Sequence, residues 1–353
     1  MPLTSAKIRV RLKPMSTKLE KTLDGILSNF SEKQRKVLDG RFGLSGKKRT
    51  LQEIGDDIGV TRERIRQIEN QAVQKIRPMV KSEFKELLQE AGEFLDKMGG
   101  VRRDDYFTND LQRILSSDII HHARYLHYTL GFLFLVGGAP HFYKEDDNVR
   151  SFWYSNEASK KKFLSFLKNL VSFFNKNNKD KILEEKIHLN KIKDFVAGNY
   201  ISISKDFDVN VFGDFGLASW PEIRPAVIKD KAHLALKKHG QPVHFRDIAK
   251  LIDEFGMGFE THPQTVHNEL IKDDRFVLVG RGMYALKGHG FEGGTVKEVI
   301  DRLLKKGGPL SSEEVVRLVS QKKILRENTI LLNLQNRKHF KRLKDGRYHI
   351  REA

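Results

Sequence analysis

The spacing of apolar and polar positions along the chain predicts a mainly helical protein whose strands are short and confined to hairpins. From Leu51 to Ile58 apolar residues recur at one-turn spacing. Gly59-Val60 then breaks the pattern ahead of Thr61, a residue type that caps helix N-termini. Ile65, Ile68, Ala72, Val73 and Ile76 make a second apolar stripe, which predicts a helix from Thr61 to about Ile76. Helices joined by so short a turn must cross closely. Gly55 supplies the small residue at the crossing, Gly59 suits the bend, and Ile54, Ile58, Val60, Ile65 and Ile68 fill the wedge. This is the pattern of a helix-turn-helix.

Further along, Leu111 to Leu135 reads as helical and Pro140 to Tyr154 as a hairpin turning at Glu145-Asp146-Asp147-Asn148. Phe163 to Phe174 reads as an amphipathic helix with its aromatics in a core. Val211 to Trp220, rich in glycine and aromatics, is expected to pack onto the winged helix C-terminal to it, with Trp220 as anchor.

The last third repeats itself. Leu236 to Pro242 matches Leu303 to Pro309, with the prolines offset by 67, whereas Thr265-Val266, Leu270, Phe276, Gly282 and Tyr284 match Thr329-Ile330, Leu334, Phe340, Gly346 and Tyr348 at a common offset of 64. Each copy predicts three helices followed by two strands around a glycine turn, the order of a winged helix. Polar and glycine-rich punctuation predicts four domains: 1–98 with the helix-turn-helix, 99–225 as a helical middle, and winged helices at 226–290 and 291–353.

Composition narrows the chemistry. Among 353 residues, 64 Lys and Arg face 46 Asp and Glu, a formal charge of +18 that calls for a polyanionic partner. The excess is uneven: residues 230–290 carry 9 basic and 8 acidic side chains, residues 295–353 carry 15 and 7. The absence of cysteine excludes a disulfide framework, cysteine-ligated zinc, iron-sulfur clusters and thiol catalysis. The longest apolar run, Tyr128 to Ala139, is far short of the ~20 residues that span a bilayer, so no membrane association is expected and a cytoplasmic, nucleoid-associated location is.

On the predicted second helix of the helix-turn-helix, Arg62 and Arg66 lie four apart, as do Glu63 and Gln67, opposite the apolar stripe and within its first two turns. Their chemistry matches base edges in a major groove. Arg pairs bidentately with guanine, Gln with adenine, and Glu accepts from the cytosine amine. In the second repeat, Arg337, Lys338, Lys341, Arg342, Lys344 and Arg347 run from the third helix into the hairpin, where they are expected to meet phosphates, while the near-neutral first repeat is expected to make protein contacts.

The segment Phe30 to Leu44, with Arg49-Thr50-Leu51-Gln52-Glu53-Ile54-Gly55 and Val60-Thr61-Arg62-Glu63-Arg64-Ile65-Arg66-Gln67-Ile68-Glu69, resembles region 4 of the sigma-70 family over about 60 residues. The resemblance implies a recognition helix that reads the promoter −35 element and a surface that docks on the beta-subunit flap of RNA polymerase. It makes Arg62, Glu63, Arg66 and Gln67 base readers and Arg49, Thr50 and Lys75 phosphate contacts. Only 29 residues precede Phe30, too few for the upstream sigma regions, so a sigma-like transcription factor is expected rather than a stand-alone initiation factor. His244-Phe245-Arg246-Asp247-Ile248-Ala249, ending in Gly282-Met283-Tyr284-Ala285-Leu286, resembles the HARE-type winged helix of the RNA polymerase delta subunit over about 60 residues. The implied partners are promoter-like duplex DNA and core RNA polymerase.

Enzymatic readings are weaker. Asp118, His121 and His122 can share a helix face, but no zinc-protease spacing accompanies them, and no metal or other cofactor is expected. Asp214-Phe215-Gly216 mimics a kinase motif without the lysine, glycine-rich loop or catalytic loop that must go with it. HARE-type modules also occur fused to restriction endonucleases, yet no carboxylate pair followed by lysine at nuclease spacing is evident. A non-enzymatic factor is therefore expected, with a delta-like polymerase accessory subunit and, behind it, a nuclease as the alternatives.

Overall fold

The computed structural model describes residues 16–115 and 125–351, and the chain divides between Phe207 and Asp208 into two compact units. It is mainly helical, with small antiparallel sheets. The first unit contains α1 (Ser16–Leu27), α2 (Glu32–Phe42), α3 (Leu51–Ile58), α4 (Arg62–Glu83), α5 (Lys85–Lys97), β1 (Val101–Arg103), α6 (Asp104–Leu115), α7 (Leu126–Gly137), β2 (His141–Tyr143), β3 (Phe152–Tyr154), α8 (Glu157–Lys176), α9 (Lys179–Leu183), α10 (Leu189–Ile192) and α11 (Phe195–Ile203). Asp118, His121 and His122 lie outside the described residues, as does the middle of the helix expected over Leu111 to Leu135. Among the described residues no group of His, Asp and Glu side chains is arranged to hold a metal, and no helix is long and apolar enough to cross a membrane.

α4 carries the largest departure from the expected boundaries. It does not stop at Ile76 but runs seven residues further through Pro78, because Ile76 and Val80 are fully buried in the core and hold the helix across the one hydrogen bond that proline removes. That core extends from Leu19 on α1 to Trp153 on β3 and takes in Met98, Phe107 and the apolar face of α7. It therefore continues across the 98/99 edge. The Gly99-Gly100 pair read as punctuation is a packed turn with both residues at positive φ. A Cβ on Gly100 would sit 2.3 Å from the Ser159 Oγ, and one on Gly99 would sit 2.4 Å from Val196.

β2 and β3 form the hairpin expected over Pro140 to Tyr154, and β1 adds to β3 to give the order β1-β3-β2. Phe163 and Phe174 of α8 are buried, as core residues should be.

β4 (Phe207–Val209) begins at the last residue of the first unit, and in the second unit β5 (Phe215–Leu217) precedes two similar arrays. Phe212 packs edge-on against Phe255 at 4.9 Å and against the core of the first array, so the Val211 to Trp220 stretch does pack onto that array. This segment belongs to the second unit, and the 225/226 edge does not coincide with the division at Phe207.

The first array is α12 (Ile228–His239), β6 (Val243–His244), α13 (Phe245–Glu254), α14 (Pro263–Lys272), β7 (Phe276–Gly280) and β8 (Met283–Leu286). The second is α15 (Val296–Gly307), α16 (Ser312–Ser320), α17 (Glu327–Leu334), β9 (Phe340–Arg342) and β10 (Tyr348–Ile350). Their registers coincide at the offsets read from the sequence. Phe276 faces Leu286 as Phe340 faces Ile350, Leu278 faces Tyr284 as Arg342 faces Tyr348, and Val243 pairs with Tyr284 as Leu310 pairs with Tyr348.

The two arrays are joined. β7 is an edge strand of β6-β8-β7, and the turn between α16 and α17 closes that edge: the Ile324 amide donates to the Val279 carbonyl at 2.8 Å and Lys323 Nζ to the Leu278 carbonyl at 2.6 Å. Glu292, between the arrays, takes ion pairs from Arg302 and Lys322. The expected 290/291 edge is thus bridged within one compact unit.

Candidate nucleic-acid interface

The geometry of the helix-turn-helix rests on a few residues. Thr50 caps α3 in a reciprocal capping box with Glu53, and Gly59 ends the helix at φ 76°, a left-handed conformation that costs glycine least. Thr61 then caps α4 by accepting from the Arg64 amide. At the crossing, a Cβ on Gly55 would lie 2.6 Å from the Val60 carbonyl oxygen, so the turn is tight because residue 55 has no side chain. Ile54, Ile65, Ile68 and Val37 of α2 form the buried wedge, with Leu51, Ile58 and Val60 half-buried around it. The angle of α4 is set from behind as well, by the ion pair of Arg41 on α2 with Glu69 at 3.1 Å.

The buried stripe of α4 leaves Arg62, Glu63, Arg66 and Gln67 exposed together on its first two turns. Arg66 pairs with Glu63 through two hydrogen bonds, at 2.9 and 2.7 Å, which holds the Glu63 carboxyl below its ordinary pKa range and keeps both groups charged. Arg64, which was not among the side chains expected to read bases, is also exposed and donates to the Gln67 Oε1 at 3.1 Å. Its signal was available in the Thr61 cap, which puts residue 64 in the first turn. These exposed pairs cost little to exchange for an incoming base edge or phosphate.

The expected phosphate contacts are placed differently from one another. Thr50 is exposed at the N-terminus of α3, where free amides and the helix dipole favour an anion. Arg49 is half-buried and already donates to Asp57 at 3.0 Å and to the Glu53 carbonyl at 2.9 Å. Lys75 lies near the middle of α4, donates to the Asn29 carbonyl at 2.9 Å, and sits 4.6 Å from the centre of the Phe30 ring. It braces the turn between α1 and α2.

In the second unit, Arg337, Lys338, Lys341, Arg342, Lys344 and Arg347 are all exposed. Arg347 is paired with Asp345 at 2.6 Å and the Arg342 Nε donates to the Gly346 carbonyl, so those two stiffen the hairpin tip. The side chains of Arg337, Lys338, Lys341 and Lys344 have no partner among the described residues. At the base of the hairpin Lys297, Lys338, His339 and Arg351 line a groove together with the carboxylates Glu298 and Asp301, so that groove is of mixed charge.

Comparison with known proteins bears on the N-terminal part of the chain. It is 50% identical over 60 residues to the RNA polymerase sigma factor SigA of Bacillus sp, covering 17% of this chain and 16% of that protein. It is 52% identical over 60 residues to the RNA polymerase sigma factor SigA1 of Synechococcus elongatus, covering 17% and 15%, and 44% identical over 73 residues to SigA of Listeria monocytogenes, covering 20% of each. The chain therefore spans a fifth or less of the length of these relatives. Residues 26–78, which hold the capped helix pair and its exposed side chains, match the family model of Sigma-70, region 4.

Proposed function

We propose that this protein is a non-enzymatic, sigma-like transcription factor that binds promoter-like duplex DNA through α3 and α4 and acts with core RNA polymerase. One observation carries the reading. Within a segment similar to sigma region 4, the side chains able to discriminate bases are those left exposed at the start of α4, while every apolar neighbour is turned inward. Arg62 and Arg66 supply bidentate donors for guanine, Gln67 the amide for adenine, and Glu63 an acceptor for cytosine that also holds Arg66 in place. Thr50 and Arg49 fix the register on the backbone, Arg49 after exchanging its contact with Asp57.

The two arrays of the second unit are read as tandem winged helices, the first of them HARE-type. Each has helix, short strand or bridge, two helices and a hairpin in that order.

The test is base-by-base. Arg66→Ala or Gln67→Ala in the full chain is expected to lose about 1–3 kcal/mol of discrimination at one base pair of a selected site, with non-specific affinity nearly intact. Uniform weakening on every sequence would make these residues backbone contacts and remove the sequence-reading role. Association of the tagged protein with purified core RNA polymerase tests the second half of the proposal.

A further inference from the structure

The same hairpin surface is treated in opposite ways by the two arrays of the second unit. In the first, the outward face of β7 and β8 carries Val277, Val279 and Ala285. It is buried with Met283 and Phe291, and its free edge is closed by Lys323 and Ile324. Gly280 fits there because a Cβ would meet the Ile324 carbonyl oxygen at 2.7 Å. In the second array the matching registers put Lys341 where the first has Val277, across from His349 where the first has Ala285. At the same offset, Lys344 replaces Gly280, and Arg337-Lys338 replace Asp273-Asp274.

Apart from His349 for Ala285, each of these exchanges adds positive charge or removes negative charge. Asp273 is paired with Arg275 at 2.7 Å and Asp274 is exposed, so the first array offers no free cation at this place, whereas Arg337, Lys338, Lys341 and Lys344 are exposed and without carboxylate partners among the described residues. A surface that is apolar and covered in one copy and cationic and open in the other points to a polyanion as the second copy's partner.

We propose that the hairpin Phe340–Ile350 and the residues leading into it form a second duplex-DNA contact, made to phosphates by Arg337, Lys338, Lys341 and Lys344 and independent of the groove-reading face of α4. Its neutral counterpart in the first array serves as the platform that holds the second array in place. Duplex DNA is the chosen polyanion on the reading of α4 proposed above, since a second weak contact on one DNA molecule gains from the high local concentration that the first creates. The contact is non-specific. The six side chains that the sequence grouped here reduce to four free ones, Arg342 and Arg347 being committed to the hairpin itself.

The experiment uses the full chain and a 30-base-pair duplex of random sequence, with affinity followed by fluorescence anisotropy across a salt series. Arg62→Ala/Arg66→Ala isolates the proposed contact from α4. On that background, Arg337→Gln/Lys338→Gln/Lys341→Gln/Lys344→Gln is expected to reduce the log-log salt slope by up to about 3.6, at about 0.9 per phosphate released, while Lys→Arg replacements at 338, 341 and 344 keep the slope. An unchanged slope with the four glutamines overturns the proposal, as does a loss seen with single-stranded RNA but not with the duplex. Unchanged thermal unfolding of the glutamine variant keeps a lost slope attributable to charge. Failure of the reading helix has its own sign, since on a selected site compared with the random duplex Arg62→Ala/Arg66→Ala would then leave sequence preference untouched.

Discussion

At the scale of single residues, Gly55 decides whether the two helices of the N-terminal pair can meet. Its missing Cβ leaves the Val60 carbonyl at a distance no side chain tolerates, and that neighbour is backbone, which cannot rotate away. Gly55→Ala is therefore expected to destabilise the first unit by roughly 1–3 kcal/mol, seen as a lower urea midpoint, and to weaken sequence-specific DNA binding by tilting α4. Gly59→Ala tests a different property, the left-handed backbone at φ 76°, because a Cβ there meets nothing within 4 Å. Arg66 illustrates the limit of residue-scale reasoning. Its outward position was legible from the apolar stripe, but its bidentate pairing with Glu63 depends on rotamers that spacing alone does not choose.

At the scale of elements, the turn between α16 and α17 shows how a short loop can act as a strand partner. Lys323 is nearly fully buried and gives its ammonium to the Leu278 carbonyl, and burial holds its pKa below the ordinary lysine value. Removing it strips a carbonyl of its donor and leaves space where the aliphatic stem packed. Lys323→Ala is expected to lower the stability of the second unit by roughly 1–3 kcal/mol and to speed hydrogen exchange of the Ile324 amide. Exchange at Ile324 equal to that of the parent protein would mean the edge stays closed without the lysine.

At the scale of the whole molecule, two imidazoles among the described residues, one in each unit, are expected to confer acid sensitivity. His188 lies in the first unit, where burial holds its pKa below 6.5 despite the Ile182 carbonyl beside it. In the second, burial first and then the nearby Arg275 cation lower His233, with Glu222 pulling the other way and Lys237 and Asp273 adding smaller, opposed effects. Both rings are thus neutral when folded and take up a proton more readily when unfolded. The stability they contribute is complete above about pH 6.5 and is lost as pH falls through their lowered folded values. Thermal unfolding midpoints are expected to drop between pH 7 and pH 5, ahead of carboxylate titration, and His233→Gln is expected to flatten that drop for the second unit. The net charge of +18 acts at the same scale, drawing the protein to polyanions before any specific contact forms.

The linear sequence by itself determined the helix-turn-helix, because capping residues, glycines and apolar spacing are local and each acts within a few residues of itself. It determined the internal repeat as well, down to the register of both hairpins, since identical offsets in the chain become identical pairings across a strand. It also reached the exposure of Arg62, Glu63, Arg66 and Gln67, which helical periodicity alone dictates. Tertiary structure decided what depends on residues far apart. Met98 and Trp153 share one core, so the glycines at 99 and 100 mark a packed turn. Lys75 meets Asn29, Pro78 rides within α4 on the strength of its buried neighbours, and the edge of β7 is closed by residues more than forty positions away. Local propensity carries no information about such partners, because the free energy that selects them comes from area buried and hydrogen bonds satisfied only once the chain has closed on itself.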